Sequence, residues 1–66
     1  MYGERIKEIR ENAQMTQAQM ALVLGTNQQS ISRYEKEQIE PNIEMIVRIC
    51  KKFDVTADYL LGLSEY

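Results

Sequence analysis

Only three residues, Gly25-Thr26-Asn27, separate two segments that each read as a short helix. That brevity restricts the fold more than any other feature of the chain. Ahead of it, Thr16 and Gln19 have the spacing of a capping box, in which hydroxyl and amide satisfy free backbone N–H groups. Met20, Ala21 and Leu24 then follow at helical spacing, and Gly25 supplies a left-handed stop. Behind the connection, Asn27 is a good N-cap for a helix that ends near Lys36. Two helices joined so closely must cross at a steep angle.

That crossing is the helix-turn-helix geometry, and the rest of the chain supports an all-α setting for it. A first helix is expected from about Tyr2 to Asn12, with Tyr2, Ile6, Ile9 and Ala13 on one face. A fourth follows Pro41 behind an Asn42 cap, carries Ile43, Ile46, Ile49, Cys50 and Phe53 inward, and ends near Asp54. A fifth starts after Thr56 and closes at Gly62. No stretch alternates apolar and polar residues for long enough to suggest a strand. The glycines at 3, 25 and 62 read as punctuation between elements.

The chain has 66 residues, which is one domain over 1–66. A domain of this size buries only about 60% of its unfolded surface. The lone Cys50 precludes an internal disulfide. With no histidine and one cysteine, there is almost no material for a structural zinc site or a histidine-based catalytic centre. A non-enzyme without metal or cofactor is expected. No apolar run is long enough to span a membrane, and "MYGERIKEIR" at the start has no signal-peptide core. A soluble cytoplasmic protein follows as the expectation. The net charge of −2 and a pI near 5.0 argue, taken alone, against a nucleic-acid partner.

The third predicted helix, in "GTNQQSISRYE" (25–35), is the counterweight. At 3.6 residues per turn, Gln28, Gln29, Ser32, Arg33 and Lys36 share one face, and Ile31 and Tyr34 anchor the opposite one. Glutamine can bond adenine through N6 and N7, and arginine can bond guanine through O6 and N7. A polar face can equally do nothing but meet water. A face built only for water usually favours Glu and Lys, whereas this arc contains no acid.

The run "MTQAQMALVLGTNQQSISRYEKEQIEPN" resembles the helix-turn-helix of the phage Cro and repressor family of bacterial transcription regulators. The likeness continues through "MIVRICKKFDVTADYLLG" and covers Gly3 to Gly62. It implies a five-helix bundle in which the third helix enters the major groove of double-stranded DNA and the second lies across the backbone. By that resemblance Gln28, Gln29, Ser32 and Arg33 face bases. Gln17 and Asn27 meet phosphate, with Lys36 the nearest cation of the following loop. The resemblance also implies an ion pair between Arg10 and Glu35. The alternative is two unrelated surface charges.

Two positions depart from the family pattern. Glu37 stands where glycine is usual after the third helix, and the following loop, "EQIE" at 37–40, is acidic where the family is often basic. Phosphate contact gains from Lys or Arg, so the acidic loop points to weak binding by one copy and makes pairing of two copies important. Met45 and Val47 lie off the main stripe of the fourth helix, and Leu61, Leu63 and Tyr66 cluster towards the end. They are candidates for a weak homodimer through the end of the fourth helix, the fifth helix and the tail, or alternatively they close the core. Cys50, Met15 and Met20 read as core, and Lys51 and Lys52 as solvated charges at a helix end. A repressor reading an inverted-repeat operator is the leading function. A protein-interaction module or antitoxin-type partner-binding domain on the same fold is the alternative.

Overall fold

The computed structural model describes residues 2–65, and these form five helices and no strand: α1 (Gly3–Asn12), α2 (Gln17–Leu24), α3 (Gln28–Glu35), α4 (Ile43–Phe53) and α5 (Ala57–Leu60). The helix starts are set by side chains. Thr16 Oγ1 accepts from the Gln19 N–H at 3.1 Å, while Gln19 Oε1 accepts from the Thr16 N–H at 2.8 Å, completing the capping box. Asn27, Asn42 and Thr56 cap α3, α4 and α5 by accepting from Ser30, Met45 and Tyr59 N–H groups at 2.9, 2.8 and 3.0 Å.

The helix ends obey one rule. Each is followed by a residue in the left-handed region: Gln14, Gly25, Glu37, Asp54 and Gly62, with φ of 57°, 73°, 59°, 54° and 79°. The next residue then sends its N–H five residues back, as from Met15 to Arg10 (3.1 Å), Thr26 to Ala21 (2.9 Å) and Gln38 to Arg33 (2.9 Å). Val55 to Cys50 (3.1 Å) and Leu63 to Asp58 (2.7 Å) complete the set. These are Schellman closures, which satisfy carbonyls the helix leaves open. Glycine meets the conformational demand at two of the five; Glu37 meets it where the family ordinarily has glycine.

The core is a single cluster of Ile6, Ile9, Met20, Ala21, Leu24, Ile31, Met45, Ile49 and Leu60. Met15, Tyr34, Ile46, Cys50, Phe53, Val55 and Tyr59 pack around it, half-buried. Helix α3 is seated between α1 and α2, and α4 backs α2.

Four expectations need correction. Ile43 is 79% exposed, whereas Met45 is only 9% exposed and belongs to the core. Apolar residues occupy most of the circumference of α4, and its inward arc centres on Met45, Ile49 and Phe53, a stripe of i, i+4 and i+8. The first turn at Ile43 therefore looks outward, and Met45 is unavailable for a subunit contact. Ala13 is exposed, as the cap residue beyond α1 rather than part of its buried face. Gly3 is not punctuation either. It lies buried inside the first turn of α1, where an added Cβ would meet the Tyr34 and Glu35 carbonyl oxygens at 2.6 and 2.7 Å. Its role is to let the start of α1 touch the backbone at the end of α3.

Candidate nucleic-acid interface

Helix α3 is amphipathic, and its buried side fixes what the other side shows. Ile31 is fully buried and Tyr34 packs against the core. With those two anchored, Gln28, Gln29, Arg33 and Lys36 stand exposed, and Ser32 is half-buried between them. Among the described residues, the side chains of Gln28, Gln29, Arg33 and Lys36 make no hydrogen bond or ion pair with the rest of the fold, so their donors and acceptors are left to the surface. The Asn27 side-chain oxygen is committed to its cap, which leaves the amide nitrogen of this exposed residue with its donors uncommitted to the cap.

Gln17 is placed differently from its neighbours on this surface. It is half-buried, and its Nε2 donates to Glu35 Oε1 at 3.1 Å. Glu35 in turn accepts from Arg10, whose Nε reaches Oε2 at 2.7 Å and whose Nη2 reaches Oε1 at 3.1 Å. The remaining Arg10 nitrogen, Nη1, donates to the Met15 carbonyl at 3.0 Å. The side chains of Arg10 and Glu35 are 14% and 5% exposed, so the pair is shielded from solvent screening. Its hydrogen bond to Glu35 raises the Arg10 guanidinium above its ordinary range against the opposing effect of desolvation. One network thus ties α1, the α1–α2 connection, α2 and α3 together behind the exposed face.

The structure adds a residue that sequence patterning passed over. Arg48 on α4 donates through Nη1 to the Leu24 carbonyl at 3.1 Å and through Nη2 to Glu44 at 2.6 Å. Leu24 ends α2, immediately before the turn. A cation at a helix C-terminus is favoured by the dipole and closes an open carbonyl. The Glu44–Arg48 spacing of four residues was a readable sign of a helix-surface pair; the reach to Leu24 depends on tertiary geometry.

The loop after α3 places Glu37, Gln38, Ile39 and Glu40 at the surface. The Arg5 guanidinium lies 4.1 Å from the Tyr59 ring centroid, and the Tyr59 hydroxyl donates to Glu8, joining α5 to α1. Val47 and Leu63 are exposed and Leu61 half-buried; Tyr66 lies outside the described residues. Among the described residues, no helix is long and apolar enough to cross a membrane.

Comparison with known proteins bears on this arrangement. A family model described as "Helix-turn-helix domain" matches residues 3–64. The HTH-type transcriptional regulator ImmR of Bacillus subtilis (strain 168) is 33% identical over 63 residues, which is 96% of this chain and 50% of ImmR. Antitoxin PezA of Streptococcus pneumoniae is 36% identical over 62 residues, 94% of this chain and 39% of PezA. Among solved structures, the crystal structure of the P22 c2 repressor protein in complex with synthetic operator 9T superposes with a TM-score of 0.84. It is 32% identical and covers 91% of each chain. The chain spans about half the length of the curated relatives it matches.

Proposed function

The chain belongs to the helix-turn-helix domain family, and from that premise we propose that it is a sequence-specific double-stranded DNA-binding regulator acting as a repressor in the cytoplasm. Residues 1–66 act as one DNA-binding unit. The observation that carries this reading is the exposed face of α3, where Gln28, Gln29 and Arg33 have no structural task within the fold. In the proposed complex α3 lies in the major groove. Gln28, Gln29, Ser32 and Arg33 meet base edges, and Gln17, Asn27 and Lys36 meet phosphates. The similarity to a repressor solved on its operator supports the docking mode.

One recognition helix reads too few base pairs to single out a site in a genome. Two copies therefore bind an inverted repeat, with half-sites about 34 Å apart. The subunits meet weakly through the exposed Val47, through Leu61 and Leu63, and through the chain end. DNA stabilises the pair because both copies engage one duplex.

The test is selection of binding sites from random duplex DNA, followed by footprinting. The expected outcome is a two-fold symmetric consensus. Failure to retain any duplex at low salt would contradict the reading. The likeness to antitoxin PezA supports a second reading, a domain that binds a protein partner. That reading predicts a stable complex with a toxin encoded beside the gene.

A further inference from the structure

Glu35 Oε1 is shared between two donors from different helices, Arg10 Nη2 on α1 and Gln17 Nε2 on α2, both at 3.1 Å. An amide nitrogen carries two hydrogens, so this bond leaves Gln17 one to give. Gln17 is the first residue of α2, at the edge of the surface assigned above to DNA.

Resting on that assignment, we propose that Glu35 is a positioning residue for the phosphate contact of Gln17. By holding one Nε2 hydrogen it fixes the amide so that the other is presented outward before DNA arrives. The acceptor is itself held still. Its second oxygen is bonded to Arg10 Nε at 2.7 Å, and Arg10 is anchored to the Met15 carbonyl at 3.0 Å. Arg10 has a further function here. Without its positive charge, a carboxylate so close to the DNA surface would repel the phosphate that Gln17 is meant to receive. The Arg10–Glu35 pair thus supplies an acceptor that is nearly charge-neutral overall. A glutamine free on the surface must lose rotamer freedom on binding, and holding it beforehand removes that loss, which corresponds to about a two- to tenfold gain in affinity.

The paired substitution Arg10→Met with Glu35→Leu removes the acceptor without stranding a charge, and circular dichroism establishes that it is folded at the assay temperature. Without DNA, the two Gln17 Nε2 proton resonances should lie further apart than those of the exposed Gln38 in the wild type and should move to the Gln38 values in the paired variant. On a selected operator, the paired variant should lose about two- to tenfold in affinity, and Gln17→Ala, which removes the contact itself, should lose at least as much. Adding Gln17→Ala to it should cost less than the same change costs in the wild type. Glu35→Gln, which keeps the shape and one weaker acceptor, should lose less. If the losses instead multiply, or the paired variant binds as wild type does, the positioning role is overturned while the DNA-binding reading stands. If the wild type binds no duplex at all, the DNA-binding reading falls and takes this inference with it.

Discussion

Arg10 and Glu35, 25 positions apart, are joined by two hydrogen bonds of 2.7 and 3.1 Å between side chains that are almost wholly shielded from solvent. Removing one partner strands the other. Glu35→Ala or Arg10→Ala is expected to cost about 3–5 kcal/mol, whereas Arg10→Met combined with Glu35→Leu should be close to neutral. Urea denaturation of the three proteins measures this; similar losses in all three would show that the charges contribute no more than their packing.

Gly3→Ala should be destabilising although alanine is the better helix former. The new methyl would sit 2.6 Å from the Tyr34 carbonyl oxygen and 2.7 Å from that of Glu35, both backbone atoms that cannot swing aside. Forcing extra volume into such a contact costs about 1–3 kcal/mol. A thermal melt that is unchanged or raised would contradict the close approach of α1 and α3.

Glu37 holds a φ of 59° without being glycine. Comparing Glu37→Gly with Glu37→Ala separates the backbone from the side chain, since both remove the carboxylate and its contacts. The glycine variant should be the more stable by about 1 kcal/mol. Equal stabilities would mean that the turn relaxes.

Glu40→Lys replaces an exposed acid in the loop after α3 with a cation. If the loop runs beside the DNA backbone, binding should tighten nearly equally on operator and random duplex. The slope of log affinity against log salt should steepen by about 0.9 for one phosphate gained. Fluorescence anisotropy across a salt series reads both effects.

Burial raises the Cys50 thiol above its ordinary value of 9.0. The folded protein therefore favours the neutral thiol, and this contribution to stability is intact below pH 9.0 and lost as pH rises through the folded-state value. Alkylation at pH 8 should be slower than for the urea-unfolded chain, because the thiolate is the nucleophile. Equal rates would place the thiol in contact with bulk solvent.

Features encoded within three or four residues were legible in the sequence. The caps at Thr16, Asn27, Asn42 and Thr56 are side chain-to-backbone bonds across three positions, and Gly25 and Gly62 sit where a left-handed residue is needed. The outward face of α3 was legible because only Ile31 and Tyr34 can be its anchors. What escaped depends on neighbours distant in sequence. With apolar residues around most of α4, periodicity alone could not choose between Ile43 and Met45 for the inside. Neither the demand for a bare Cα at Gly3 nor the reach of Arg48 to Leu24 has a local signature, and Gln17 seeks Glu35 only once α3 is packed.

The left-handed closures that end each helix also bear on how quickly this molecule forms. Each reverses the chain within a few residues, so most helices that touch are neighbours or next-neighbours along the sequence, the α1–α5 contact excepted. Little loop entropy is then lost before the first stabilising contacts appear, and helical domains wired in this way fold in microseconds to milliseconds. A molecule with such local wiring regains its structure soon after losing it, whatever caused the loss.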